Sequence, residues 1–290
     1  MNVAVFGATG TVGRALVERL RGDHEVVAVS RRRRPDEPGV GWVGADVGNP
    51  TAVRDAVDGM DVVYYLVHSL GTLDFAERDR RGAAIIARAA EGAGVDQIVY
   101  LGGLAPDDAE LSEHLRSRRE TEDILRSGRV PVTAIGSAVV VGRGSAAFET
   151  IVALVDRLPA MVCPRWVSTP TQPIALDDIV GYLAAMCGLD VALDQSYQAG
   201  GPEVLTYRAM IEQIARIRGR RPRIVEIPVL SPRLSAYWLE IVTPVNAATA
   251  RPLIDGLRVP TVVTDSRLHD LVPQDLMPFA RAAEAALADR

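Results

Sequence analysis

The fold is decided by the stretch NVAVFGATGTVG, residues 2–13 of a 290-residue chain. Its apolar run at residues 3–6 is typical of a strand that is buried on both faces of a parallel sheet. Gly7, Gly10 and Gly13 follow at the spacing G-x-x-G-x-x-G. The first glycine permits a tight turn, and the second leaves no side chain between the backbone and a pyrophosphate. The third lets the next helix pack close to the strand.

An amphipathic helix is predicted directly after this turn. Val12, Leu16 and Leu20 form its apolar stripe, and Gly22 ends it. The N-terminus of such a helix offers free N–H groups and a positive dipole end to phosphate oxygens. A glycine triplet on its own is a weak signal, but between a strand and a helix it indicates a dinucleotide site. The predicted cofactor contacts at this turn are Gly7, Thr9, Gly10, Thr11 and Val12.

The composition of the chain is that of an ordinary globular enzyme, with 48% apolar and 24% charged residues. A formal net charge of −5 argues against a general binder of nucleic acid or of anionic membranes. No apolar run reaches the roughly 18 residues that a membrane span needs. We also expect no leader ahead of the first strand. Two distant cysteines and four scattered histidines predict a reducing, cytoplasmic location and no metal site.

Lysine is missing from the whole chain, because all 32 of its Lys and Arg residues are arginine. Schiff-base chemistry and any lysine acid or base are therefore excluded. Arginine stays protonated at neutral pH, so it can hold an anion but cannot transfer protons. Any proton-transfer chemistry of this chain must come from other side chains.

Strands and helices alternate along the first half of the chain. This alternation predicts an α/β protein of the Rossmann type, with a doubly wound parallel sheet. The segments that we interpret as its strands are residues 3–6, 24–30, 42–45, 61–67, 97–101 and 131–141. Beyond Gly142 the alternation loosens and prolines become frequent. We therefore predict a core over residues 1–143 and a smaller lobe over 144–290 that covers the cofactor cleft, with 164–190 returning to the core.

The end of the second predicted strand indicates which dinucleotide is bound. NAD-binding folds place an acidic residue about 20 residues after the glycines, where it holds the ribose 2′-OH. This chain has Ser30 there, followed by a run of four arginines. Arginines suit a 2′-phosphate, so NADP(H) is predicted over NAD(H), with Ser30, Arg31 and Arg32 as contacts. We expect the other two, Arg33 and Arg34, to lie in solvent.

The carboxyl ends of other strands supply further predicted contacts, since ligands of doubly wound sheets bind at that edge. The third strand leads to Asp46 and Val47, where an adenine ring would lie. The fourth and fifth strands end in residues that can approach the rest of the cofactor. The predicted contacts there are Leu66, Val67, His68, Leu101 and Gly102.

Several of these segments resemble the atypical short-chain dehydrogenase/reductases, and more closely the NmrA-like NAD(P)H-binding proteins. Besides the glycine spacing, the resemblance rests on YLVHS at residues 65–69, YLGGL at 100–104 and LSEHLRSR at 111–118. It continues through QPIALDD at residues 172–178 and GGP at 200–202, so it covers nearly the whole chain. The resemblance implies a Rossmann-type fold and a nicotinamide cofactor.

The chain departs from that family at the residues that do the chemistry. Catalytic members carry Tyr-x-x-x-Lys on the helix before the sixth strand, with tyrosine as the acid or base and lysine lowering its pKa. Here the helix has His114-x-x-x-Arg118, and Gly102-Gly103 replaces the serine usual at the end of the fifth strand. The usual mechanism of the family is therefore excluded.

Two functions from different classes remain open. The first is an NADPH-dependent reductase of a small, mostly apolar carbonyl, enone or quinone-like substrate, in which the protein aligns the acceptor and supplies a proton. His68 and His114 are the candidate donors because histidine titrates near neutral pH, although each could instead be an ordinary structural residue. Tyr65 is the alternative donor, with an unperturbed pKa of about 10.

The second function is a non-catalytic NADP(H)-binding module that acts through a protein partner, as a redox sensor or an accessory protein. NmrA-like relatives include both kinds of protein, and the missing tyrosine and lysine pair favours this one. An apolar lobe in which Tyr237, Trp238 and Leu239 could line a substrate pocket argues against it. A DNA-binding regulator is the least favoured function, because no basic helix or arm stands out.

Overall fold

A sheet of seven parallel strands runs through the centre of the protein. The computed structural model describes residues 1–69, 72, 74–106, 111–227 and 256–288. Every pair of neighbours in this sheet is parallel. In spatial order the strands are β11 (Ser196–Ala199), β6 (Val132–Ser137), β5 (Gln97–Gly103), β4 (Val62–Tyr65), β1 (Asn2–Phe6), β2 (Glu25–Ser30) and β3 (Val40–Gly44).

Helices cover both faces of this sheet. Helices α1 (Thr11–Leu20) and α6 (Leu176–Ala185) pack on one face, in a single apolar cluster. Helices α2 (Pro50–Val57), α3 (Phe75–Ala93) and α4 (Glu113–Arg126) cover the other face. The structure therefore confirms the doubly wound, Rossmann-type fold that the alternation of strand and helix predicts.

The strand order reverses between β1 and β4, which lie side by side in the middle of the sheet. From β1 the chain passes through α1 to β2 on one side, whereas β4 is followed by β5 on the other. The loops after these two strands diverge and open a crevice at the carboxyl edge, where doubly wound sheets bind ligands. The glycine turn lies at this crevice because it follows β1.

The sixth predicted strand, residues 131–141, is two separate strands in the structure. β6 stays in the main sheet and ends at Ser137, whereas β7 (Val140–Val141) pairs with β10 (Ile174–Ala175) outside it. The apolar run continues through both strands, so the sequence pattern does not mark the break. The hydrophobic pattern also does not predict β11, a short and partly polar strand that pairs with β6 and extends the sheet.

A separate apolar core holds the lobe together. It contains helices α5 (Ala146–Arg157), α7 (Tyr207–Ile217) and α9 (Phe279–Ala288). The amphipathic pattern of α7 buries Met210 and Ile214 completely in this core. Two small sheets flank the helices: β8 (Ala160–Pro164) with β13 (Arg223–Ile227), and β9 (Pro170–Thr171) with β12 (Leu205–Thr206).

The apolar cluster on the α1 face of the main sheet takes up the chain again at Ile174. Met161 and Val167, before this point, lie in the apolar core of the lobe. Helix α6 packs with α1, and β11 joins the sheet, so the returning part extends to Ala199. A short helix, α8 (Arg267–Leu271), packs on the same face. Core and lobe are therefore joined by several passes of the chain.

Two polar side chains from the segments that resemble the family tie the last part of the chain to the rest. Gln172 donates from Nε2 to the carbonyl of Gly201 (2.7 Å) and accepts at Oε1 from the amide of Val263 (3.0 Å). Asp178 accepts from the amide of Met277 (2.8 Å). These motif residues therefore stabilise the fold of the second half.

Candidate functional site

The glycine turn after β1 is shaped by close backbone contacts. Gly7 has a φ of +87°, and a Cβ there would lie 3.0 Å from the carbonyl group of Leu66. A Cβ on Gly13 would lie 2.2 Å from the carbonyl oxygen of Gly7. A Cβ on Gly10 would meet only that same oxygen, at 3.3 Å. Gly7 and Gly13 therefore serve the turn itself, while Gly10 keeps the space in front of α1 free.

The first turn of α1 faces this free space. Gly10 is the N-cap residue of α1, and no side chain caps the helix there. The unbonded N–H groups at a helix N-terminus, together with the positive end of the helix dipole, bind anions. The turn therefore fits the phosphates of a dinucleotide, because a residue without a side chain admits them and a helix N-terminus attracts them.

A cavity of about 1290 Å³ begins at this turn and extends along the carboxyl edge of the sheet into the lobe. A pocket for one small ligand usually measures about 300–1,000 Å³, so this cavity exceeds what a single small molecule needs. Its walls come from both halves of the chain. The predicted cofactor contacts that line it are Gly7, Thr9, Gly10, Thr11, Val12, Leu66, His68, Leu101 and Gly102.

Other predicted cofactor contacts, at the ends of β2 and β3, lie outside the lining of this cavity. The Ser30 hydroxyl donates to the carbonyl of Arg32 (2.7 Å), and Arg31 and Arg32 are both exposed. The Asp46 carboxylate accepts from the amide of Gly48 (2.8 Å) just before α2. These side chains are therefore engaged locally or lie in solvent.

Val47 and Val67 also lie away from the cavity. Val47 packs toward Gly82 of α3, where a Cβ would lie 3.2 Å from the valine side chain. Val67 packs on the same face of the sheet, and its carbonyl accepts from the Arg118 guanidinium (3.3 Å). Successive side chains of an extended chain point to opposite faces, so Leu66 lines the cavity and its neighbour Val67 does not.

Arg34, which the sequence predicts to lie free in solvent, lines the cavity beside β3. Its side chain is exposed, but the guanidinium carbon lies 5.3 Å from the centre of the Trp42 ring in a cation–π contact. The Trp42 indole also donates to Glu37 Oε1 (3.1 Å). Arg14 of α1 also lines the cavity. Sequence reasoning missed Arg34 because a contact between a loop arginine and a strand tryptophan leaves no periodic pattern.

Arg118 of α4 lies at the other end of the cavity, where several elements converge. The residue is only 8% exposed, and its guanidinium donates to the carbonyls of Val67 (3.3 Å) and Leu101. The guanidinium carbon lies 4.8 Å from the centre of the Tyr100 ring, and the Tyr100 hydroxyl donates to the Arg118 carbonyl (2.9 Å). Arg118 is therefore fixed beside the ends of β4 and β5. In the sequence it is marked only as the residue that stands in place of the family's lysine.

His68 and His114 line the cavity next to Arg118, so the structure brings both predicted donors to one place. Burial, followed by the positive charge of Arg118, lowers the pKa of His114 to about 3. The same two causes lower the pKa of His68 to about 4, a smaller shift for a side chain that is exposed to the cleft. At neutral pH both rings are therefore uncharged, and each offers one N–H donor and one acceptor nitrogen.

Tyr65, the alternative donor, does not line the cavity. Its ring is fully buried on the face that α3 covers, and it stacks on Tyr100 with 6.3 Å between ring centres. Among the described residues its hydroxyl has no hydrogen-bond partner, and a Cβ on Gly82 would come within 2.7 Å of it. Burial also raises the pKa of Tyr65. Strand alternation again explains this position, because Tyr65 shares the face of Val67 and not that of Leu66.

A buried carboxylate holds the loop that carries His68. Asp79 of α3 is buried, and its Oδ1 accepts from the amide of Ser69 (2.8 Å). Burial raises the pKa of Asp79, while the hydrogen bond from Ser69 and the charge of Arg118 act in the opposite direction. Asp79 therefore positions His68 through the backbone of the next residue. In the sequence it is one charge in the arginine-rich segment ERDRR, which gave no sign of this role.

The lobe supplies an apolar wall to the cavity. Ile151 of α5 and Ile211 of α7 contribute to it, with Trp166 and Tyr207, whose rings meet edge to face at 6.2 Å. The aromatic and apolar lining that we expect at residues 237–239 lies outside the described residues. The wall that the structure does describe suits an apolar molecule.

The lobe also approaches the glycine turn from the opposite side. Gly144, just before α5, has a φ of +84°, and a Cβ there would lie 2.9 Å from Oγ1 of Thr11. The amide of Gly144 donates to the Glu149 carboxylate (2.9 Å). Arg143 and Ser145 line the cavity at this point. The glycine turn therefore faces the N-terminal end of a second helix and an arginine.

No three His, Cys, Asp or Glu side chains in the described ranges form a group that could hold a metal ion. Within those same ranges, no helix is both long enough and apolar enough to cross a membrane.

Comparison with known proteins bears on both halves of the chain. Residues 7–140 match the sequence model of a family described as NAD(P)H-binding. The (4-alkanoyl-5-oxo-2,5-dihydrofuran-3-yl)methyl phosphate reductase of Streptomyces griseus is 29% identical, over 78% of this chain and 77% of its own length. The ceramide reductase of Caulobacter vibrioides is 26% identical, over 78% of this chain and 73% of its own length.

A solved structure extends the likeness to the whole fold. The NADPH-dependent quinone oxidoreductase of Escherichia coli, in complex with NADPH, superimposes with a TM-score of 0.77. The match covers 99% of this chain and 100% of that one, at 18% sequence identity. The lobe as well as the nucleotide-binding half therefore follows an architecture that is already known.

Proposed function

We propose that this protein, whose residues 7–140 match an NAD(P)H-binding family model, is an NADPH-dependent reductase of the atypical short-chain dehydrogenase/reductase type. Its substrate is a mostly apolar carbonyl, enone or quinone-like molecule. The observation that carries the proposal is the single cavity that joins the glycine turn to the apolar wall of the lobe. A protein that only held a nucleotide would not need an apolar space beyond it.

The chain's own residues account for how the cofactor would be held. The N–H groups at the start of α1 bind its phosphates, and Arg143 faces the same place from the lobe. Leu101 offers apolar surface beside His68 and His114, and Leu66 offers it next to the glycine turn. When bound, the cofactor supplies the hydride, whereas the protein supplies alignment and electrostatics.

Two arginines support a preference for NADP(H) over NAD(H). Arg14 and Arg34 line the cavity beside the first strands, and the Trp42 ring supports Arg34. Ser30 stands where an NAD-binding fold would carry a carboxylate. A hydrogen bond from arginine to a 2′-phosphate contributes about 1.5–3 kcal/mol, roughly a ten- to hundredfold gain in affinity. The structural relative from Escherichia coli was solved with NADPH.

The relatives support the reaction class as well. Both curated relatives are named as reductases, and one of them acts on a molecule that carries an alkanoyl group. The structural relative is named as a quinone oxidoreductase. The apolar wall that includes Ile151, Trp166 and Ile211 suits substrates with apolar bodies or chains.

One observation favours the second function, a non-catalytic NADP(H)-binding sensor or accessory protein. Neither His68 nor His114 is charged at neutral pH, because the pKa of each is lowered, so neither has a proton that it readily gives up. A sensor would bind the nucleotide at the same turn and respond to its redox state through a protein partner. It would not oxidise NADPH in the presence of a small acceptor.

The test begins with fluorescence titrations of the purified protein with NADPH and with NADH. Quinones, enones and apolar ketones are then added singly, and NADPH oxidation is followed by absorbance. We expect tighter binding of NADPH than of NADH, and oxidation of NADPH with at least one acceptor. Tight binding without oxidation across the whole panel would favour the sensor, and no binding of either nucleotide would overturn both functions.

A further inference from the structure

We propose that Arg118 is the charged catalytic group of this site, and that the site therefore favours conjugated acceptors such as quinones and enones over saturated ketones. The inference rests on the proposed reductase function. Arg118 stabilises the negative charge that a conjugated acceptor gains when hydride arrives. Water, rather than His68 or His114, then delivers the proton.

The first support is the position of Arg118, which is fixed at the cavity with hydrogen-bond donors to spare. A guanidinium carries five N–H donors. The carbonyls of Val67 and Leu101 accept from two of its nitrogens, and the Tyr100 ring lies against the guanidinium. Within the described residues Arg118 forms no ion pair with a carboxylate. The residue lines the cavity, and we expect its remaining donors to reach an anion there.

The second support is that Arg118 is the one charged side chain among the described residues that line this end of the cavity, since the Asp79 carboxylate lies near enough to interact with its charge but does not line the cavity. The others are apolar, small or neutral: Leu66, His68, Leu101, Gly102, Gly103, Leu104, His114, Leu115 and Ser137. The histidines are held uncharged by burial and by Arg118 itself, through lowered pKa values. A neutral imidazole donates a hydrogen bond from its N–H group but does not act as an acid at neutral pH.

The third support is the chemistry that such a site can assist. An enone or a quinone takes the hydride together with both electrons of the cofactor C–H bond, leaving NADP⁺, and becomes an enolate or a hydroquinone monoanion. Water protonates this delocalised anion and leaves hydroxide in the solvent, so atoms and charge balance. A nearby cation stabilises the developing oxyanion. A saturated ketone yields a far more basic alkoxide, which needs a general acid during the transfer.

Three variants test the role of Arg118. Arg118→Met removes the charge and Arg118→Lys keeps a cation, while Arg116→Met changes an exposed arginine of the same helix and serves as the matched control. With a quinone acceptor we expect kcat to fall about 10²–10³-fold in Arg118→Met. The loss should be much smaller in Arg118→Lys and absent in Arg116→Met. NADPH affinity and Tm, measured on each variant, separate lost chemistry from lost binding or folding. An unchanged kcat in Arg118→Met would overturn the proposal.

A binding measurement that needs no turnover also tests the positive charge of Arg118. Nitrophenol resembles the product oxyanion, and its ionised form absorbs visible light. In the presence of NADP⁺ the parent protein should favour the bound phenolate. The pKa of bound nitrophenol should therefore be about one unit or more lower in the parent than in Arg118→Met, with Arg118→Lys close to the parent. Equal ionisation on a folded Arg118→Met, or, if that variant does not fold, on a folded Arg118→Gln, would overturn the role of Arg118.

The two measurements distinguish a failure of the reductase function from a failure of the role of Arg118. If the parent oxidises no NADPH with any acceptor, the reductase function fails, whereas the nitrophenolate shift still reports on Arg118. The substrate class is tested with an enone and the saturated ketone of the same carbon skeleton, both offered to the parent. Faster reduction of the enone is expected, and equal rates for the two would overturn the preference for conjugated acceptors.

Discussion

At the glycine turn the cavity is bounded by backbone, whereas at Arg118 it is bounded by side chains from α4 and from the loops after β4 and β5. Gly7 and Gly13 hold their places through contacts with main-chain atoms, whatever the pH. The charges of His68 and His114, by contrast, depend on burial and on Arg118. The comparison teaches that a short motif can define the nucleotide end of a site, while the reactive end depends on the assembled fold.

The largest effect that we expect is at the backbone end. Gly10→Val places a branched side chain in the space in front of α1, and NADPH affinity should fall by more than about a hundredfold, or about 2.7 kcal/mol. The fold should survive, because the φ of −72° at Gly10 suits any residue and a Cβ would meet only the Gly7 carbonyl at 3.3 Å. Fluorescence titration and thermal melting check both expectations.

A matched control for this variant is Gly41→Val. Gly41 lies in β3, and a Cβ there would meet nothing within 4 Å, so the same change adds the same side chain away from the turn. We expect normal NADPH binding in Gly41→Val. Near-native affinity in Gly10→Val would show that the glycine turn does not hold the cofactor.

The next effect concerns the arginines near the nucleotide end. Arg34→Ala should weaken NADPH binding about tenfold and leave NADH binding almost unchanged, because only NADPH carries the 2′-phosphate. Arg31→Ala should have a smaller effect, since Arg31 lies outside the cavity lining. Titrations at low and high salt provide the measurement, and added salt should narrow the preference of the parent for NADPH. A parent that binds both nucleotides equally would place the whole arginine run in solvent.

The histidine variants should have modest effects on turnover. Removal of a general acid costs about 10²–10⁴-fold. If Arg118 and water do the work, His68→Ala and His114→Ala should each lose less than about tenfold in kcat with a quinone, with NADPH binding intact. A loss of a hundredfold or more in either variant would identify that histidine as the proton donor.

The smallest effect that we expect is on stability, and it arises at the Arg118 end of the cavity. The unfolded chain protonates His68 and His114 near pH 6.5, whereas the lowered pKa values keep both neutral in the folded protein down to about pH 4. The unfolded state therefore binds more protons, and the free energy of unfolding falls as the pH decreases below about 6.5. The raised pKa of Asp79 acts in the opposite direction.

Urea unfolding at pH 7 and pH 5 measures this dependence. We expect the two histidines together to lower stability by about 1–2 kcal/mol over this interval, after a discount for the water that reaches His68 in the cleft. The double variant His68→Ala/His114→Ala should lose that contribution and keep the one from Asp79. An identical dependence in the double variant and the parent would contradict the shielding of the histidines.

Much of the fold could be predicted because buried parallel strands read as continuous apolar runs. β1, β2 and β4 are of this kind, and the helices between them carry regular apolar stripes. β11 could not be predicted, since the four residues SYQA form a strand only because β6 offers them an edge. The break inside residues 131–141 is set by β10, which lies much later in the chain.

The residues of the candidate site also fall into a group that could be predicted from the sequence and a group that could not. The position of the turn residues in the cavity lining could be predicted, because glycine spacing reports directly on backbone geometry. Arg34 and Arg118 could not, because their roles depend on Trp42, on Tyr100 and on carbonyls of distant segments. Tyr65, the predicted alternative proton donor, does not line the cavity, and a strand end in the sequence does not say which of its two faces meets the cavity.

The chain passes several times between core and lobe, and this limits which parts of the protein can be separated from one another. α6 and β11, from the second half, cover α1 and complete the sheet, while α7 and α9 return to the lobe. A fragment that ends at residue 143 would expose an apolar face and an open sheet edge, so we expect it to aggregate. We therefore expect core and lobe to be inherited as one unit. Substitutions in the apolar wall, at residues such as Ile151, should then change substrate preference more readily than exchange of a whole domain.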